Sequence, residues 1–81
     1  MGLPVTWTAA NGEPRRGSLT QGDELPPTCD KRFPLVLDEQ GSPLTANDLR
    51  GIRLRIVARR TPEAERLARA AKEADYDADW R

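Results

Sequence analysis

The sequence predicts a small α+β domain, a three- or four-stranded, mainly antiparallel sheet with one C-terminal helix packed on one face. Three observations carry that prediction. Ile52, Leu54 and Ile56 alternate with Arg53 and Arg55, the period-two pattern of a strand with one dry and one wet face. Directly after it, Ala64, Leu67, Ala68, Ala71 and Ala74 recur at helical spacing. Upstream lie short β-forming runs separated by turn residues, and these must supply the strands that the helix covers.

Taken in order, Val5 to Ala9 reads as a first strand, with Val5, Trp7 and Ala9 on one face and Thr6 and Thr8 on the other. Asn11-Gly12 is a strong hairpin signal because both residues tolerate positive φ. A return strand is expected around Gly17 to Thr20, with Pro14 at its beginning, where a missing N–H does least harm. Residues 21–32, with Gly22, Pro26 and Pro27 among charges, read as a loop. Phe33 to Leu37 is a short apolar run and the third expected strand, followed by a turn in which Gly41 takes the unusual dihedral. Thr45 and Asp48 have capping-box spacing, which predicts a single helical turn ending at Gly51. The strand over 52–58 is expected to pair antiparallel with 33–37.

Thr61-Pro62-Glu63 marks the helix start, with a hydroxyl cap, proline at the first helical position and an acid in the first turn. Glu65 and Arg69, and Arg69 and Glu73, have the spacing of surface ion pairs. The domain is drawn over residues 1–75, leaving 76–81 as an acidic and aromatic tail in which Tyr76 or Trp80 either folds back or stays free. Leu54, Ile56, Leu37, Leu35 and Leu67 are the expected core.

The segment LDEQGSPLTANDLRGIRLRIV resembles the opening of thioredoxin-like peroxidase and reductase chains, in which an Asp-x-x-Gly turn and a Leu-Arg-Gly turn precede a central strand. The resemblance covers about a quarter of the chain and implies strand, turn, strand. In that family the central strand leads into a redox cysteine. Here it leads into Ala58-Arg59-Arg60, so no redox function is carried over.

Composition narrows the chemistry. With no histidine and one cysteine, a conventional zinc site has no ligand set. Cys29 lacks both a disulfide partner and a general base, so it reads as a spare thiol. Asp75, Asp77 and Asp79 match the first ligands of a calcium loop, but the glycine and the bidentate acid that should follow are missing. The acid pairs Asp23/Glu24 and Asp38/Glu39 fall in loops with no apolar setting to raise a pKa. No enzyme, cofactor or metal is expected. The N-terminus does not read as a signal peptide and no apolar run reaches about 18 residues, which points to a cytoplasmic protein without membrane contact.

Binding remains. The chain has 13 basic and 13 acidic residues, a balance that disfavours a general polyanion binder. The expected function is that of a protein-binding regulator or inhibitor, of a size and arginine-rich composition that suit a bacterial, phage or mobile-element source. Its candidate partner-binding residues are Arg53, Arg55, Arg59, Arg60 and Trp7. Trp7 reads first as a core or half-buried sheet aromatic and second as a stacking surface. Nucleic-acid binding is the alternative, through residues 50–60, which carry Arg50 as well and no acid. A structural or assembly subunit is the third reading, since a homo-oligomer would bury area that this short chain lacks by itself.

Overall fold

Asn11-Gly12 forms the expected turn, although of the two only Gly12 takes a positive φ. Gly12 adopts φ +87°, and Asn11 Oδ1 accepts from the Glu13 amide at 3.0 Å. The turn joins β1 (Leu3–Thr8) to β2 (Pro14–Thr20) with Leu3 opposite Leu19, Val5 opposite Gly17 and Trp7 opposite Arg15. The computed structural model describes residues 2–22, 25, 27, 33–45 and 47–80. Cys29, Asp23, Glu24 and most of the expected 21–32 loop lie outside the described residues.

The remaining elements are β3 (Leu35–Asp38), β4 (Arg53–Ile56), α1 (Pro62–Glu73) and β5 (Asp77–Trp80). They build one five-stranded sheet in the order β3-β2-β1-β4-β5, with α1 as its helix. The fold is α+β as expected, but the strand count and character need correcting. Four strands are antiparallel neighbours and the fifth, β5, runs parallel to β4. A parallel neighbour requires a crossover, and α1 is that crossover. Residues 77–80, expected within an acidic tail, alternate Asp77 and Asp79 outward with Ala78 and Trp80 inward. Ala78 is 1% exposed, small enough to sit between sheet and helix.

The expected pairing of 33–37 with 52–58 is also corrected. β3 pairs with β2, and β4 pairs with β1 and β5. Hydrophobic rows explain the arrangement: Val36, Leu19 and Leu3 line up across three strands, and Val5 meets Ile56 on the next. β1 has two dry residues, Leu3 and Val5, and needs a neighbour on both edges to cover them. Leu54 and Ile56 are fully buried as expected, whereas Leu35, Leu37 and Leu67 are half-buried. In β3 it is Val36 that is wholly buried, because the register with Leu19 turns that residue inward.

The turns hold their places through local bonds. Asp38 Oδ1 accepts from the amides of Gln40 and Ser42, both at 2.9 Å, and Gly41 takes φ +82°. The Leu44 amide returns to Val36 O at 2.8 Å, so this turn covers part of the outer edge of β3. At the capping box, the Thr45 amide and hydroxyl donate to Asp48 Oδ2 at 3.0 and 2.8 Å, and the Asp48 amide donates back to Thr45 Oγ1 at 3.2 Å. Those two donors, the amide first, hold the Asp48 carboxyl below its ordinary pKa. The turn places Leu49 in the core and ends at Gly51 with φ +74°.

α1 starts where expected, with Thr61 Oγ1 accepting from the Ala64 amide at 3.1 Å. Ala64, Ala68 and Ala71 face the sheet, and these small side chains let the helix lie close to it. Glu65 pairs not with Arg69 but with Arg60, at 3.2 Å. The helix ends in a Schellman motif: the Tyr76 amide reaches Ala71 O at 2.9 Å and the Asp75 amide reaches Lys72 O at 3.1 Å. Asp75 occupies the left-handed position at φ +67°, where glycine is usual.

Candidate partner-binding face

One helix covers one face of the sheet, and strand alternation decides what the other face carries. β4 turns Arg53 and Arg55 outward, β2 turns Arg16 outward beside Thr6 of β1, and β5 turns Asp77 and Asp79 outward. The register sets Arg53 opposite Asp77 and Arg55 opposite Asp79. Arg53 Nε lies 3.5 Å from Asp77 Oδ2 and 3.9 Å from Asp79 Oδ2. The Arg53 side chain is 76% exposed, so these pairs neutralise charge without adding much stability, about 0–1 kcal/mol each. Arg16 approaches Glu39 at 4.0 Å, near the limit of an ion pair. Arg55 makes no ion pair among the described residues.

A gap opens within this face. The Val57 amide bonds Pro4 O at 3.0 Å, and the β1–β4 register then runs through Val5↔Ile56 and Thr6↔Arg55, where it stops. β1 continues to Thr8, while β4 has already begun at Arg53, so the two strands part. Between them lies an open cleft of about 1060 Å³, bordered by Thr6, Thr8, Arg16, Arg53, Arg55 and Asp79.

The five candidate residues do not form one cluster. Arg53 and Arg55 share the open face and the cleft. Trp7 belongs to the opposite, helix-side face, half-buried against the core, and lines the same cleft from that side. A Cβ built on Gly17 would stand 3.0 Å from Trp7 Cη2, so the indole lies over that glycine. Arg60 is drawn to the helix side, its guanidinium 5.1 Å from the Trp80 ring centroid and its Nε ion-paired with Glu65 Oε1 at 3.2 Å. Arg59 is exposed, and its carbonyl accepts from the Thr61 amide at 3.0 Å.

Arg16, Thr6, Thr8 and the two aspartates complete the face and were not among the candidates. Their signal was present in the sequence as period-two alternation, in Thr6-x-Thr8, Arg16-x-Ser18 and Asp77-x-Asp79. Among the described residues, no three His, Cys, Asp or Glu side chains converge to hold a metal ion, and no helix is long and apolar enough to cross a membrane. No protein family matches the chain, and neither a curated protein nor a solved structure does.

Proposed function

We propose that this chain is a non-enzymatic protein-binding module, a regulator or inhibitor that meets its partner with the open face of its sheet. The observation that carries the reading is the interleaving of charge on that face: Arg53 lies between Asp77 and Asp79, with Arg55 and Arg16 nearby. A polyanion meeting this surface would gain from three guanidinium groups but be repelled by the carboxylates among them. A protein surface can answer both signs, and an arginine with a planar fork suits carboxylate partners. The lack of histidine and the single cysteine also favour binding over catalysis. Nucleic-acid binding is therefore ranked below protein binding.

The experiment is capture from a lysate of the source cell on immobilised wild type and on the Arg53→Ala/Arg55→Ala double variant, each with and without nuclease. Protein retained by the wild type, insensitive to nuclease and lost on the variant, is the expected result. Retention that disappears with nuclease would reverse the ranking.

A further inference from the structure

We infer that the cleft between β1 and β4 is a slot for an extended peptide that sets one carboxylate on Arg55. The inference deepens the protein-binding reading and rests on it. Its first support is the backbone. In an antiparallel ladder, alternate residues of a strand turn their N–H and C=O toward a given neighbour. The Ala9 amide bonds Glu13 O at 2.9 Å, which assigns the odd residues of β1 to β2. The Val57 amide on Pro4 O assigns the even residues of β1, and the odd residues of β4, to the β1–β4 seam. Thr8 and Arg53 are the next bonding pair in that ladder, and the register does not reach them. Their backbone groups therefore face the cleft, where an extended chain could use them as a strand uses a sheet edge.

The second support is charge. Three of the four arginines along the cleft already meet carboxylates, Arg15 with Glu13 and Arg16 with Glu39 at 4.0 Å each and Arg53 with Asp77 and Asp79, which leaves the charge of Arg55 unanswered among the described residues. The third is the chain's own example. β5 is an extended segment with carboxylates two residues apart, and both of them approach Arg53, at 3.5 and 3.9 Å. The arginine face thus already holds one acidic strand on its far side. Arg55, turned outward next to the cleft and without an ion pair among the described residues, is the guanidinium available to a second. A nucleic-acid strand would place phosphates against the same arginines but has no amide edge to offer Thr8 and Arg53.

The test uses the full chain and a fluorescein-labelled peptide of threonine and valine with a single central aspartate. The same peptide with asparagine for aspartate, and oligothymidylate, serve as comparisons. Amide NMR shifts are expected at Thr8, Arg53 and Arg55, and Arg55→Ala should weaken binding about tenfold, the effect of one charge-assisted hydrogen-bonded contact. Equal binding of the asparagine peptide, shifts away from the cleft, or tighter binding of oligothymidylate would overturn the inference. The two failures separate cleanly. If lysate protein is lost on the double variant while the peptide leaves Thr8 and Arg53 unshifted, the open face binds protein and the slot is wrong.

Discussion

Gly17→Ala tests the packing that holds the hairpin to β3. In a strand, replacing glycine by alanine ordinarily gains about 0.5–1 kcal/mol from lost chain entropy. Here the added methyl would meet the Leu37 carbonyl oxygen of β3 and stand 3.0 and 3.1 Å from Cη2 and Cζ3 of Trp7. A ring can tilt, but a carbonyl held in a ladder moves only with its strand. Overpacking of this kind costs about 1–3 kcal/mol, and displacing the indole removes contacts that the core does not replace. The net expectation is a loss of about 1–3 kcal/mol, which in a domain of this size lowers Tm by about 5–20 °C. Thermal unfolding by circular dichroism measures it, with Ser18→Ala on the outer face as a control expected within about 0.5 kcal/mol of wild type. A Gly17→Ala variant that melts with the wild type would refute both the position of Trp7 and the register of β1, β2 and β3.

Three further outcomes follow from the ends of elements and the titrating groups. Asp75→Gly relieves a left-handed aspartate and removes an acid from a helix C-terminus, so urea unfolding should show a gain of about 0.5–1 kcal/mol. Asp48 has a folded pKa below its ordinary 3.8, so its contribution is present above that pH and is lost as the pH falls through the folded value. Asp48→Asn should therefore flatten the decline of stability below pH 3.8, read by acid titration of Tm. Burial raises the pKa of Tyr76, the single tyrosine, so its tyrosinate absorbance should appear above pH 10.0 and stability should fall in the same range.

The local elements were legible because their signals are local. Asn11-Gly12, the Thr45/Asp48 box, the Thr61-Pro62 start and the alternation of Ile52 to Ile56 all depend on residues within one or two turns of each other. Strand partners were not legible in the same way. Phe33 to Leu37 is apolar throughout, so it gives no phase, and only the register with Leu19 turns Val36 inward. Likewise, the acids of 75–79 suggested a solvated tail, whereas a buried Ala78 and the crossover through α1 make that stretch a strand. The candidate site shows the same division. Alternation put Arg53 and Arg55 on one face correctly, but sequence proximity could not reveal that Arg60 would turn toward Trp80, or that Asp77 and Asp79 would lie beside Arg53.

That last juxtaposition is the basis for ranking protein above nucleic acid, and a salt titration tests it most directly. A fluorescent random-sequence duplex is titrated with wild type over a range of ionic strengths. If Arg16, Arg53 and Arg55 each met a phosphate, the log–log slope of affinity against salt would be about −2.7. Wild type should show no saturable binding at physiological salt and a shallower slope at low salt, because carboxylates among the arginines already serve as counterions. Tight binding at physiological salt with a slope of about −2.7, abolished by Arg53→Ala/Arg55→Ala, would contradict that expectation.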